Sequence, residues 1–359
     1  MAKNGTIFLN LLNLAPKKIH DIIESLDDPD QIFRITSYDL NKIASLNQKN
    51  IDEIIHLRKS NILDKELELI EKANISVIDI FDRSYPALLN EISYPPIVLY
   101  LKGSETILSE NLFAIVGSRI PTLYGISTAA KFSYQLSAAG LTIVSGLAKG
   151  IDTIAHKEAI RTGKSIAVLG SGLLNTYPKE NAQLAEKISL NGAVISEFPL
   201  KTAPLRENFP RRNRIVSGLS YGVLVVEAAT RSGALITARL ACEQNREVFA
   251  IPGNVDSPLS RGTHRLIKEG ATLVDSIDDI LNELNIPYQQ QTISYDANLN
   301  PDEKIILDMI HNEGAYLEEL LIKSNTNPAM INKIILNLQL KGLIKEIKPS
   351  CFIKNTYLH

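Results

Sequence analysis

Cysteine is scarce: Cys242 and Cys351, 109 positions apart, are the only two in 359 residues. That is too few for a disulfide framework, and the spacing matches no zinc motif. With no His/Cys cluster either, no metal and no cofactor is expected, and a reducing, cytoplasmic location is. Long apolar runs are missing too. None reaches the roughly 18 residues that a membrane span needs, so no membrane role is expected. The stretch Ile7–Leu14 comes nearest to a signal core, but Asn10 and Asn13 interrupt it and no small-residue cleavage site follows. Nor does one sign of charge dominate. The 38 Lys+Arg and 40 Asp+Glu leave a formal net charge of −2, which taken alone argues against a polyanion partner. At 45% apolar and 22% charged residues the chain is globular, with the length of two to three domains of roughly 150 residues.

The total hides a division. Residues 1–102 carry 12 basic and 15 acidic side chains, residues 103–285 carry 19 and 17, and residues 286–359 carry 7 and 8. Eleven of the 14 arginines lie in the middle segment and none in the last. Arginine's planar fork binds phosphate bidentately, whereas lysine is a point charge. A local field in the middle segment is therefore compatible with the near-neutral sum.

Residues 1–75 open with amphipathic helical patterns over Lys17–Leu26 and Leu40–Lys59, the first led in by Pro16. They suit a docking module better than a DNA grip, because the glycines of helix-hairpin-helix units are missing. Ile75–Ile80 and Pro96–Leu101 read as extended, fitting a connector or edge strand. From residue 111 to 285, apolar runs alternate with helical patterns. The runs are Phe113–Val116, Leu141–Ser145, Ser165–Leu169, Ala193–Ser196, Gly222–Val226, Val248–Ile251 and Ala271–Val274. This alternation predicts an α/β fold with a mostly parallel sheet, which binds ligands at the carboxyl ends of its strands. A linker follows over residues 286–300. Residues 301–359 show three helical patterns, the last stopped by Gly342, and a small hairpin, the winged-helix arrangement. Its Pro328–Lys341 helix offers only Lys333 and Lys341, so protein contact suits it better than DNA readout.

The strand ends carry small residues and cations. Gly117-Ser118-Arg119 follows the first sheet strand, and Ser145-Gly146-Leu147-Ala148-Lys149-Gly150 follows the second. Gly170-Ser171-Gly172 with Tyr177-Pro178-Lys179 follows the third. Next come Ser196-Glu197-Phe198-Pro199 and Phe209-Pro210-Arg211-Arg212-Asn213-Arg214, then Glu227 with Arg231-Ser232-Gly233, and Pro252-Gly253. Several Gly/Ser turns along one sheet edge make an anion-binding cleft. Three guanidiniums in four residues beside a phenylalanine suit the gripping of a phosphodiester chain with bases free to stack. Asp152 and His156, four apart on one helix face, are either an acid/base pair or a helix cap and a structural hydrogen bond.

These motifs, in this order and spacing, resemble the DNA-processing protein A family (DprA, also called Smf) over residues 80–285. Two departures are His264, where an asparagine is usual, and the missing N-terminal glycines. The resemblance implies an extended Rossmann core over 76–285 that binds single-stranded DNA without sequence preference. It also implies a homodimer, a sterile-alpha-motif-like domain over 1–75 and a winged helix over 301–359. The implied role is protection of incoming DNA and loading of RecA recombinase during natural transformation (competence), with no catalytic residue. By the same resemblance Arg119 and Lys179 are the main gripping cations. Gly117, Ser118, Ser145, Gly146 and Gly170 line the phosphate pocket, supported by Arg211, Arg212 and Arg214. The alternative is a nucleotide-processing hydrolase on a Rossmann-like fold, using Glu227, Asp152 or His156. Against it, Pro252-Gly253-Asn254 departs from the Pro-Gly-Gly loop of such enzymes. A dinucleotide site is disfavoured because Gly170-Ser171-Gly172 lacks the third glycine of the fingerprint.

Overall fold

A computed structural model describes residues 3–12, 14–286, 299–310, 314–324, 326–341 and 343–354. The chain divides into two compact units, residues 1–287 and 288–359.

The first unit opens with α1 (Asn4–Leu11), α2 (Pro16–Glu24), α3 (Ser37–Asn41), α4 (Gln48–Arg58) and α5 (Ile62–Lys72). The apolar stretch that opens the chain is buried helix, with Phe8 and Leu9 fully covered. The single helical pattern over 40–59 is broken in two. Asn47 accepts from the Asn50 N–H while the Asn50 side chain accepts from the Asn47 N–H, a reciprocal cap that starts α4 afresh. The apolar faces of these helices gather with Ile75, Ile97, Val98, Tyr100 and Leu200 into one core cluster. The helical segment is thus packed onto the first strands, within the same compact unit as the sheet.

That sheet forms from β1 (Ser76–Asp79), α6 (Ala87–Asn90), β2 (Val98–Gly103), β3 (Leu112–Val116), α7 (Leu123–Ala138) and β4 (Thr142–Ser145). It continues with α8 (Ile151–Thr162), β5 (Ser165–Val168), α9 (Ala182–Asn191), β6 (Ala193–Ser196), α10 (Asn208–Gly218) and β7 (Gly222–Val225). It ends with α11 (Gly233–Glu243), β8 (Glu247–Ala250), α12 (Arg261–Lys268), β9 (Thr272–Leu273) and α13 (Ile277–Glu283). The order is β1-β2-β6-β5-β4-β3-β7-β8-β9. Strands β3 to β9 run parallel, while β2 pairs antiparallel with both β1 and β6. This is the Rossmann-like, mostly parallel α/β fold that the alternation predicts, with the two extended N-terminal segments as its antiparallel edge. The chain winds one way from β3 and the other way from β7, and these two strands are neighbours. Their carboxyl ends form the topological switch point, where open α/β sheets bind ligands.

The second unit holds α14 (Pro301–Met309), β10 (Ala315–Tyr316), α15 (Leu317–Ser324), α16 (Pro328–Leu340), β11 (Ile344–Lys348) and β12 (Cys351–Lys354). Its small antiparallel sheet has the order β10-β12-β11. Leu320, Ile331, Ile335, Leu338 and Phe352 anchor its core. The helix stop at Gly342 and residues 287–298 of the linker lie outside the described residues.

Because the N-terminal helices share a core with β2, a fragment of residues 1–286 is expected to melt in one cooperative transition. Helical circular dichroism and tyrosine fluorescence, usable because the chain has no tryptophan, should report coincident midpoints. Two separated transitions would contradict the shared core.

Candidate functional site

The carboxyl ends of β3, β4 and β7 open onto a cleft of about 800 Å³ at the switch point. Gly117, Ser118 and Arg119 enter it from the β3–α7 loop, and Gly146 from the β4–α8 turn. Tyr177 enters from the β5–α9 segment, Phe209 and Arg212 from α10, and Arg231 with Ser232 from the β7–α11 loop.

Its floor is a buried guanidinium. Arg212 is 4% exposed. Its Nη1 donates to the Gly146 carbonyl at 2.6 Å and to the Val168 carbonyl, so one side chain ties the ends of β4 and β5 to α10. Burial lowers its pKa to about 10, against the pull of Asp152, with Arg119 adding like-charge repulsion. Arg212 therefore stays charged at neutral pH. Asp152, also buried, accepts from the N–H groups of Gly146 (3.2 Å) and Ala148 (3.3 Å). Burial raises its pKa, opposed by Arg212 and those two amides. At Gly146 a Cβ would collide with the Arg212 guanidinium and lie 2.8 Å from Asp152 Oδ2, so only glycine fits between them.

The loops above the floor are set by contact. Gly150 has φ +79°, and a Cβ there would collide with the Ser118 carbonyl oxygen. The next residue, Ile151, donates its N–H to that same oxygen at 3.1 Å. The β4–α8 turn thereby holds the peptide that carries Arg119. Ser145 does not reach the cleft: it is fully buried and its hydroxyl donates to the Ile115 carbonyl, bracing β3 against β4. Gly170 lies under the Phe209 ring.

The three arginines of α10 have separate fates. Arg212 points inward. Arg214 donates to the buried carboxylate of Glu197 and to the Tyr94 carbonyl at 2.8 Å. Arg211, partly exposed, pairs with the other Glu197 oxygen at 3.4 Å and lies over the Phe198 ring. What looks in sequence like a run of free cations is largely internal bracing. The exposed cations of the cleft are Arg119, Arg206 and Arg231, and among the described residues none of them forms an ion pair. Arg119 sits over the Phe209 ring, centroid distance 5.7 Å, and Phe209 packs against Tyr177 at 5.6 Å. Lys179 is exposed two residues beyond Tyr177, after the cis Tyr177–Pro178 bond, and is outside the cleft lining. Sequence reasoning passed over Arg206, which lies in no motif, and gave Arg231 no role although its turn was noted.

The acidic groups are held internally. His156 is buried and shares a 2.7 Å hydrogen bond between Nδ1 and Ser165 Oγ, while Ser165 Oγ donates to the Ile143 carbonyl. The imidazole is therefore the Nδ1–H donor, with no contact to Asp152 and no access to the cleft. Glu227 is buried and accepts from the Thr122 N–H (2.9 Å) and hydroxyl (2.5 Å) at the start of α7. Of the expected helix cap and structural hydrogen bond, only the second is present: Gly150 is the N-cap of α8 with no side-chain cap, Asp152 accepts instead from the preceding loop, and His156 makes the structural bond.

A family model described as DNA recombination-mediator protein A matches residues 76–285, and the chain belongs to that family. It is 48% identical over 229 residues to Protein Smf of Escherichia coli, covering 63% of this chain and 61% of that protein. With DNA processing protein DprA of Streptococcus pneumoniae it shares 41% identity over 261 residues, covering 70% of this chain and 92% of the relative. The solved structure of the S. pneumoniae protein superposes with a TM-score of 0.71 at 39% identity, over 79% of this chain and 98% of that one. DNA processing protein A from Helicobacter pylori superposes at 0.55 with 30% identity, over 60% and 97%. That structure is described as giving insight into its single-stranded DNA binding mode.

Arg212 and His156 respond differently to perturbation. Replacing Arg212 by alanine strands Asp152 in the interior and frees two carbonyls, so denaturant unfolding should show a loss of about 3–5 kcal/mol. At His156 the variable is pH. Burial, reinforced by Arg212, lowers its pKa from 6.5 to about 3. Above pH 6.5 neither state binds the proton. Below it the unfolded chain does and the native one does not, so stability falls as pH drops from 6.5 towards 3. By pH 5 the loss should be about 2 kcal/mol. In His156→Asn, whose amide can still donate to Ser165, melting between pH 7 and 5 should depend less steeply on pH.

Proposed function

We propose that this member of the DNA recombination-mediator protein A family binds single-stranded DNA in the switch-point cleft without sequence preference. There it protects incoming strands and helps load RecA recombinase onto them during natural transformation. One observation carries the binding: exposed Arg119, Arg206 and Arg231 line the same cleft as the Tyr177–Phe209 ring pair. Guanidiniums hold successive phosphates, and ring faces accept unstacked bases of any identity. Lys179, just outside, extends the cationic track. Gly117 and Ser118 bring backbone to the strand, while Gly146, Arg211, Arg212 and Arg214 keep the wall in place. The single-stranded DNA binding mode described for the H. pylori relative supports the same reading.

RecA loading, the homodimer and the cytoplasmic location rest on family membership. Among the described residues, no helix is long and apolar enough to cross a membrane. The C-terminal unit we read as a winged helix used for protein contact. The solvent face of α16 shows Met330, Lys333 and Leu336, which is poor in the cations that phosphates require. The hydrolase reading loses its support because Glu227, Asp152 and His156 are all engaged in internal hydrogen bonds.

In a salt titration, wild-type protein should prefer single-stranded over duplex oligonucleotide. Arg119→Ala with Lys179→Ala should weaken single-strand binding at least about tenfold. The slope of log K against log salt should fall by about 0.7 for each phosphate that the variant no longer neutralises. Arg231→Ala should act in the same direction, with a smaller effect. Wild-type affinity in the double variant would sink the proposal.

A further inference from the structure

The N-terminal helices reach the cleft through one backbone segment. Glu66, on α5, is 6% exposed, and its Oε1 accepts from the Leu200 N–H at 2.8 Å. Tyr100 and Lys201 face the same carboxylate, whose pKa burial raises against the pull of these partners. Leu200 is fully buried in the N-terminal core cluster. Its own carbonyl accepts from the Leu174 N–H at 3.0 Å, and the Thr202 carbonyl accepts from the Gly172 N–H at 3.0 Å. Residues 199–202 are thus zipped to residues 172–174. Each half of the zipper leads into the cleft: Leu174 runs on to Tyr177, and Thr202 to Pro204 and Arg206. A second link lies upstream, where Asn10 on α1 donates through Nδ2 to the Glu197 carbonyl at 3.0 Å. Glu197 is the residue that holds Arg211 and Arg214.

We infer that Glu66 is a positioning residue for nucleic-acid binding: by fixing Leu200 it sets the two cleft-wall segments that carry Tyr177 and Arg206. The helical module is then a buttress for the wall and needs no DNA contact of its own. Position matters here because a cation contributes to a phosphate contact only if its backbone is held within reach. Arg206, exposed and outside any ion pair among the described residues, depends on its loop for placement. This inference rests on the cleft being the single-stranded DNA site.

The test is a double-mutant cycle on the full chain, read by fluorescence anisotropy with a labelled oligo(dT). Glu66→Ala should lower affinity at least about fivefold, comparable to losing one stacked base, and reduce the salt slope. Glu66→Gln keeps an acceptor for Leu200 and should stay within about twofold of wild type. In a Tyr177→Ala/Arg206→Ala background, adding Glu66→Ala should change affinity less than about twofold, because its targets are gone. A general structural defect would instead lower affinity equally in both backgrounds. Such additivity, or wild-type binding by a folded Glu66→Ala, would overturn the inference. If Glu66→Ala shows no cooperative melt, Glu66→Asp, whose shorter side chain draws the acceptor away from the Leu200 N–H, takes its place in the same cycle, with the same outcomes. Wild-type affinity in Tyr177→Ala/Arg206→Ala itself would count against the cleft as the DNA site, a separate failure.

Discussion

A charge cut off from water lies beneath the cleft, and the surrounding loops are shaped to tolerate it. Desolvating a guanidinium is costly unless its donors and its charge both find partners. Arg212 finds two carbonyls at the ends of adjacent strands and a buried carboxylate on α8. To deliver that carboxylate, the β4–α8 turn must aim the amides of Gly146 and Ala148 at Asp152, and Leu147 between them adopts a positive φ of 57°. Gly146 must lack a side chain, and Gly150 must bend back under the Ser118 peptide. The position of Arg119 therefore follows, through a chain of contacts, from the burial of Arg212.

The same constraint of pairing buried charge closes one helix end of the sheet edge to an outside anion. In Rossmann-like dinucleotide sites the positive end of the first crossover helix is free to receive a phosphate. Here Glu227 fills that place, accepting from the Thr122 N–H and hydroxyl at the head of α7. Gly125 leaves room for it, since a Cβ there would collide with the carboxylate. The contact also clasps the β3 and β7 loops across the switch point, trading an anion site for rigidity.

Much of the fold was legible. The strands from β3 to β8 are continuous apolar runs because both sheet faces are covered, and their boundaries, like those of the more exposed edge strand β9, fell within one residue of those read from the pattern. The order of the strands was not legible, since the pairing of β3 with β7 is a tertiary choice. Helix α10 was also hidden: Phe209-Pro210-Arg211-Arg212-Asn213-Arg214 reads as a charged turn, yet Pro210 is tolerated in a first helical turn, where amides have no intrahelical partner. Once the segment is helical, three like residues separate. Arg211 and Arg214, three apart, share one side and one partner, Glu197, while Arg212 turns inward. Composition points to arginine in this segment, but which guanidiniums stay exposed depends on a carboxylate from another strand end.

That sorting bears on what the cleft is suited to hold. If Arg211, Arg212 and Arg214 were free, one stretch of a single helix would carry three charges, the concentrated field that suits a single phosphate group. Instead their charge is taken up internally. The remaining field comes from Arg119, Arg206 and Arg231, on three separate segments that line one cleft with a ring pair. Cations distributed in this way match an anion that repeats along a chain better than one concentrated at a point. The near-zero net charge of the whole protein is then no obstacle, because a polyanion responds to the field within reach of its phosphates, about a Debye length, and not to the sum over the chain.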